Sequence, residues 1–209
     1  MPTAQNPLPS DFSAKVQSKC KGVEANSLFC VEVFAGTARL TAVLKQIGFR
    51  DSFGIDHKIH SKLSGPVISL DLMHDTAVAY LASLIQQDRC IYVHFAPPCG
   101  TASRARFIKR RFRYNPPILR TDQFPNSLPG LRPDLQTRVQ AANNLYKVTQ
   151  QLCRLCHAHG VLFSLENPAR SFLWDTTYMK AFLQEVPHFQ TRFHHCQFGS
   201  SRRKYTACT

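Results

Sequence analysis

Short apolar runs alternate with segments of helical periodicity along most of this chain, and that alternation limits the fold more than any other feature. Residues 28–34 (LFCVEVF) read as a buried strand. Gly36 and Thr37 open a helical pattern carried by Leu40, Val43, Leu44 and Ile47, which Gly48 stops. Residues 52–55 and 67–70 read as second and third strands. Residues 76–87 are helical by the spacing of Val78, Leu81, Leu84 and Ile85, and residues 89–95 (RCIYVHF) form a fourth strand. A long helix is expected over 135–157, ended by Gly160, then a strand at 161–165 and a helix at 177–186 stopped by Pro187. Residues 189–196 and 205–208 read as two closing strands. The pattern predicts an α/β fold, a mostly parallel open sheet with helices on both faces.

In such folds ligands bind outside the carboxyl ends of the strands. Those ends are where this sequence becomes polar. The first strand leads through Glu32 and Phe34 into Ala35, Gly36 and Thr37; the second ends at Asp56 and the third at Asp71. The fourth runs into Pro97-Pro98-Cys99 and the fifth into Glu166-Asn167-Pro168. The small residues at 35–38 let a ligand approach the backbone and the helix N-terminus, although tight strand–helix turns are also made for packing alone. Asp56 is placed to bind the two hydroxyls of a ribose, or to cap a helix. The prolines before Cys99 stiffen its loop, and Arg104 and Arg106 are candidates to stabilise a thiolate there. The plain alternative is one buried cysteine among eight. Glu166, at the end of a buried strand, is a candidate proton donor, or else a carboxylate closing a turn before Pro168.

Charge narrows the class of partner. The chain carries 26 lysines and arginines against 13 acidic residues, and the excess is clustered. Residues 101–138 hold nine basic and two acidic side chains, and residues 189–209 hold four basic and none acidic. Clustering of this kind points to a polyanion, most simply nucleic acid, against the plainer reading of a solubilising surface. No apolar run is long enough to span a membrane, and residues 1–16 lack the basic start and apolar stretch of a secretory signal, so an intracellular protein of nucleus or cytoplasm is expected. The eight cysteines then read as reduced thiols. Cys153-Arg-Leu-Cys156-His157 matches a haem-attachment spacing but falls in a helix, where one half-buried face explains it better; no metal is expected. Trp174, beside Phe172 and Leu173, reads more readily as core than as a base-stacking residue.

Taken together and in order, these residues resemble the C5-cytosine DNA methyltransferase family across residues 28–209. Glu32-Val-Phe-Ala-Gly36 looks like the family's first motif, Pro97-Pro98-Cys99 with Ser103 its nucleophile motif, Glu166-Asn167 its Glu-Asn motif, and Cys196-Gln-Phe-Gly199 with the basic residues after it the start of its late motif. The resemblance implies a Rossmann-like methyltransferase fold and S-adenosylmethionine bound by Glu32, Phe34, Ala35, Gly36, Thr37, Asp56, Asp71 and Pro98. It implies Cys99 as nucleophile and Glu166 as its acid partner. Ser103, Arg104, Arg106, Arg202 and Lys204 would contact DNA. RNA is a second substrate class, and a monomer is expected. A flipped-out cytosine would be required, with Phe107, Phe112 and Tyr114 of the arginine-rich loop available to stack on bases.

The sequence departs from the family at definite places. Ala38 stands for the second glycine of the first motif, Gly100 for a glutamine, and Pro168 for a valine. Arg202, Lys204 and Thr206 stand where the late motif has Gln, Arg and Arg. Beyond Thr209 no target-recognition region follows, so the expected organisation is a flexible arm at 1–26 and a catalytic domain at 27–209, truncated at its C-terminus, with a long basic loop at 97–134. The alternative is a catalytically inactive relative that keeps the fold as a nucleic-acid-binding module. Retention of both Cys99 and Glu166 argues against it.

Overall fold

The computed structural model describes residues 14–15, 17–19, 21–109, 115–199, 201 and 204–209. Arg202, Phe112 and Tyr114, singled out above, lie outside them. The strands are β1 (Phe29–Val33), β2 (Phe53–Asp56), β3 (Val67–Ser69), β4 (Cys90–Phe95), β5 (Leu162–Pro168), β6 (Thr191–His194) and β7 (Tyr205–Cys208). The helices are α1 (Arg39–Gln46), α2 (Asp75–Ile85), α3 (Pro133–Ala158) and α4 (Thr177–Glu185). The expected elements are all present.

The seven strands form one sheet in the order β3-β2-β1-β4-β5-β7-β6. All neighbours are parallel except β7, which runs antiparallel to both β5 and β6. The strand order reverses between β1 and β4, which is the switch point of the sheet. From β1 the chain crosses by α1 to β2 on one side; from β4 it crosses by α3 to β5 on the other. Right-handed crossovers in opposite directions put α1 and α3 on opposite faces. Helices α2, α3 and α4 pack on one another in succession.

Burial follows position in the sheet. All five residues of β1 are buried, as a central parallel strand covered on both faces requires. Val31, Val33, Val93, Phe95 and Leu165 meet Leu81, Ile85, Tyr146, Phe172 and Phe182 in one continuous core. Cys153 and Cys156 belong to that core at 0% exposure, so the helical face expected to be half-buried is wholly enclosed. Burial drives both thiols far above the ordinary range. The described cysteines are all free thiols.

Two differences from the sequence reading matter for the site. First, β5 does not end before Glu166 but continues to Pro168. Leu162–Leu165 pair with β4, and Glu166, Asn167 and Pro168 pair with Cys208, Ala207 and Thr206 of β7. That partner is non-local, so local periodicity cannot reveal it. Second, the segment after residue 115 is folded onto the body. Leu119 and Arg120 are 0% and 1% exposed. The Arg120 guanidinium donates to the carbonyls of Pro125 and Asn126 and to Thr101 Oγ1, and lies 5.6 Å from the Tyr146 ring centroid. A buried cation with four such contacts is a tether for the loop it sits in.

Candidate active site

The turn after β1 is the most constrained backbone in the described chain. Phe34 and Ala38 are its only described non-glycine residues with positive φ, at 62° and 56°, and Gly36 between them has φ 56°. Left-handed backbone costs a residue with a Cβ about 1–2 kcal/mol, and such strain gathers where a ligand is held. The turn is held open from both sides. Glu32 is 8% exposed and accepts from both the backbone N–H and the hydroxyl of Thr41 in α1, at 2.7 Å each. Asp56 Oδ2 accepts from the Gly36 N–H at 2.9 Å. Asp56 Oδ1 accepts from the Lys58 N–H at 3.2 Å and lies 2.9 Å from His57 Nδ1. Asp56 therefore caps no helix; it ties the end of β2 to the turn after β1.

A cavity of about 330 Å³ opens beside this turn. Phe34, Asp56, Asp71 and Pro98 line it together with Leu70 and Leu145. Its volume falls in the range of small-molecule sites. It also has the expected character, an apolar slot with two carboxylates at its rim. Asp71 Oδ1 accepts from the Met73 N–H at 2.9 Å, which turns the chain out of β3. Ala35, Gly36 and Thr37 form the turn but are not in the lining. Glu32 acts behind it, through α1.

Across the switch point, the Cys99 loop is clamped by its own carbonyls. Pro97 O accepts from Asn167 Nδ2 at 2.8 Å, and Pro98 O accepts from Tyr146 Oη at 2.7 Å. Cys99 O accepts from the N–H groups of Ala102 and Ser103, at 3.0 and 2.8 Å, and Ala102 O accepts from the Phe172 N–H at 2.9 Å. The loop is thus fixed to β5, to α3 and to the segment after β5, and Cys99 stays partly accessible. Ser103 Oγ accepts from the Ala105 N–H, capping a short 3-10 turn at Arg104–Phe107.

The two arginines expected to face the thiol or a polyanion are bonded within the protein. Arg106 donates to the carbonyls of Gly100 and Pro117 at 2.7 and 2.8 Å. Arg104 pairs with Asp122, reaches Asp175 at 3.6 Å, donates to Arg170 O, and lies 4.1 Å over the Phe172 ring. Phe107 is 44% exposed and its ring centroid lies 6.0 Å from that of Phe172.

Glu166 lies where β5 changes partner. Its Oε1 accepts from Lys204 Nζ at 2.9 Å. Behind it is a polar row that the sequence reading missed. His94 is in register with Glu32 on one side and Ser164 on the other, and Glu166 follows Ser164 by two residues on the same face. Ser164 Oγ lies 2.7 Å from His94 Nδ1 and 2.6 Å from Tyr92 Oη. Burial holds the His94 imidazole below its usual range, with Glu166 pulling it up and Lys204 pushing it down. Burial likewise raises the Tyr92 phenol. The signal was present in the alternation Tyr92-Val93-His94-Phe95 and Ser164-Leu165-Glu166, polar at every second position.

No protein-family model matches the chain, and no curated protein is similar to it. Its own geometry must carry the reading. Among the described residues no group of His, Cys, Asp and Glu is arranged to hold a metal ion, and no helix is long and apolar enough to cross a membrane.

Proposed function

We propose that this chain has the S-adenosylmethionine-dependent methyltransferase fold and transfers a methyl group to C5 of cytosine in DNA through a covalent Cys99 adduct. One observation carries the reading. The Asn167–Pro97 hydrogen bond joins the Glu166 strand to the Cys99 loop at the carboxyl edge of the sheet, and Pro98 of that loop also lines the cavity that holds Phe34, Asp56 and Asp71. A thiol, a carboxylate and a cavity of small-molecule size lie along one carboxyl edge of the sheet, where such sheets bind ligands.

The cavity fits the cofactor by its chemistry. Asp56 retains acceptor capacity for ribose hydroxyls, and Asp71 stands beside Leu70 and Leu72, an apolar rim with one acceptor for an adenine amino group. S-adenosylmethionine, when bound there, supplies an electrophilic methyl group. Cys99 Sγ adds to C6 of a cytosine turned out of its stack, and the electron pair of the C5–C6 bond becomes nucleophilic at C5. Glu166 donates a hydrogen bond or proton at N3, so charge does not accumulate on the ring. After transfer, loss of the C5 proton restores the double bond and expels the thiolate. The Cys99 loop contributes position, through carbonyls already bonded to Asn167 and Tyr146.

The Lys204–Glu166 ion pair favours the second reading, a nucleic-acid-binding module without turnover, because it occupies the carboxylate that the reaction needs. One experiment separates the two. The purified chain and a Cys99→Ser variant are incubated with methyl-labelled S-adenosylmethionine and with DNA or RNA. Label at cytosine C5 in DNA, absent in the variant, is the expected result. Label in RNA alone moves the substrate class. Nucleic-acid binding without label in either polymer supports the inactive module.

A further inference from the structure

A second cavity, of about 430 Å³, opens at the segment that follows Pro168. Its wall includes Arg170, Ser171, Trp174 and Asp175 from the segment after Pro168, together with Gln190, Arg192 and Arg104. The charges in it are unequal. Arg104 is neutralised by Asp122 and Asp175. Arg170 has no ion-pair or side-chain hydrogen-bond partner among the described residues, and Arg192 bonds only the neutral Gln190 Oε1, at 2.9 and 3.1 Å. Two uncompensated guanidinium groups therefore face one concavity, which concentrates a positive field.

The remaining wall says which anion suits it. Trp174 is held from behind, its Nε1 donating to Pro168 O at 2.9 Å, so the indole is fixed in orientation and still lines the cavity. A carboxylate needs no such surface. A nucleotide does: the base stacks on the indole while the guanidinium forks take phosphate oxygens in pairs. The register fixes the distance from the candidate site. Asn167 pairs with Ala207 and Ala207 with Arg192, so Arg192 stands two strand spacings, about 10 Å, from Asn167. One strand of nucleic acid can reach both.

We propose that this cavity is a nucleotide site, in which Arg170 and Arg192 bind a backbone phosphate and Trp174 stacks the attached base, next to the nucleotide presented to Cys99. The placement rests on the methyl-transfer reading; the site itself does not need it. The basic loop was the segment expected to grip nucleic acid, but its Arg104 and Arg106 are bonded within the protein, and this cavity supplies free guanidinium groups in their place.

Trp174 is the sole tryptophan of the chain, so its emission reports on the cavity directly. A short single-stranded oligodeoxynucleotide is titrated into wild type, an Arg170→Ala/Arg192→Ala double variant and a Trp174→Phe variant, with inorganic phosphate as a parallel arm. Thermal unfolding and S-adenosylmethionine titration are run on each protein. The wild type should show saturable quenching. The double variant, folded and with unchanged cofactor affinity, should bind at least tenfold more weakly, and its salt slope should fall by about 0.7 for the one phosphate no longer neutralised. Trp174→Phe, which has no tryptophan emission to follow and is titrated by calorimetry beside the wild type, should weaken binding with little change in that slope. Equal affinity and slope in wild type and double variant overturns the site and leaves methyl transfer standing. Quenching by inorganic phosphate equal to that by the oligonucleotide overturns the nucleotide assignment. Loss of cofactor binding in wild type, with oligonucleotide binding intact, fails the methyl-transfer reading and leaves the cavity as assigned.

Discussion

Asn167→Ala tests whether the clamp on the Cys99 loop is functional. Asn167 is 2% exposed and its Nδ2 donates to Pro97 O at 2.8 Å, across 70 residues of sequence. Truncation removes that bond and leaves a buried carbonyl without a donor, a loss of about 1–3 kcal/mol. The change is not wholly unfavourable, because Asn167 Oδ1 is itself buried without a partner among the described residues and disappears too. A net loss of about 2 kcal/mol is expected, which for a domain of this size lowers Tm by about 4–8 °C. The fold has other ties to the loop, through Tyr146 and Phe172, so it should survive. The rate should not. A loop freed on one side moves the thiol, and a misplacement near 1 Å costs about 100-fold. Calorimetry, cofactor titration and labelled methyl transfer are measured on one preparation. The expected pattern is a modest fall in Tm, unchanged cofactor affinity and a drop of about two orders of magnitude in rate. A variant with the lowered Tm but wild-type turnover would refute the argument that this hydrogen bond positions Cys99.

Three further outcomes are expected. Asp56→Ala removes the acceptor of the Gly36 N–H and a ribose partner, and should weaken S-adenosylmethionine binding about 10- to 100-fold by calorimetry, at 1.5–3 kcal/mol for bonds to a charged group; unchanged affinity would detach the cavity from the cofactor. Gly54→Ala puts a Cβ within 2.6 Å of Ala35 Cβ and should destabilise the protein by about 1–3 kcal/mol in denaturant unfolding, because both backbones at that contact are fixed. His94 is held neutral by burial and its folded pKa is lowered, so its contribution is present above the unfolded value of 6.5 and is lost as pH falls through it. Stability should therefore drop by up to about 1.4 kcal/mol per pH unit below 6.5, and His94→Gln should flatten that slope in pH-dependent unfolding.

What could be read from the sequence divides along the sheet. From Phe29 to Pro98 each element follows from local periodicity and each rim residue from the end of its strand, so Phe34, Asp56, Asp71 and Pro98 meet in one cavity as expected. Past residue 98 the determinants are long-range. Nothing local marks Arg120 as a buried tether, since an arginine in a basic proline-bearing stretch reads as solvent-facing. Arg104 looked like a free cation because Asp122 and Asp175, its partners, stand 18 and 71 positions away. Trp174 read as core and does pack half-buried against it; what its neighbours do not show is that it also lines a cavity with Arg192, 18 positions on.

The change of partner within β5 also bears on how the site comes into being. The cavity beside the β1 turn takes most of its lining from β1, β2 and the residues around β3, neighbouring elements that need only short loops closed. The surroundings of Glu166 wait for residues that follow it by 38 positions or more, because Lys204 and β7 complete them. Pairings at such separation form late. A folding intermediate with the first five strands in place would already hold the turn after β1, yet would present Glu166 on an open sheet edge, free to pair with another chain. The last strand to join thus both finishes the site and removes the surface through which partly folded molecules would associate.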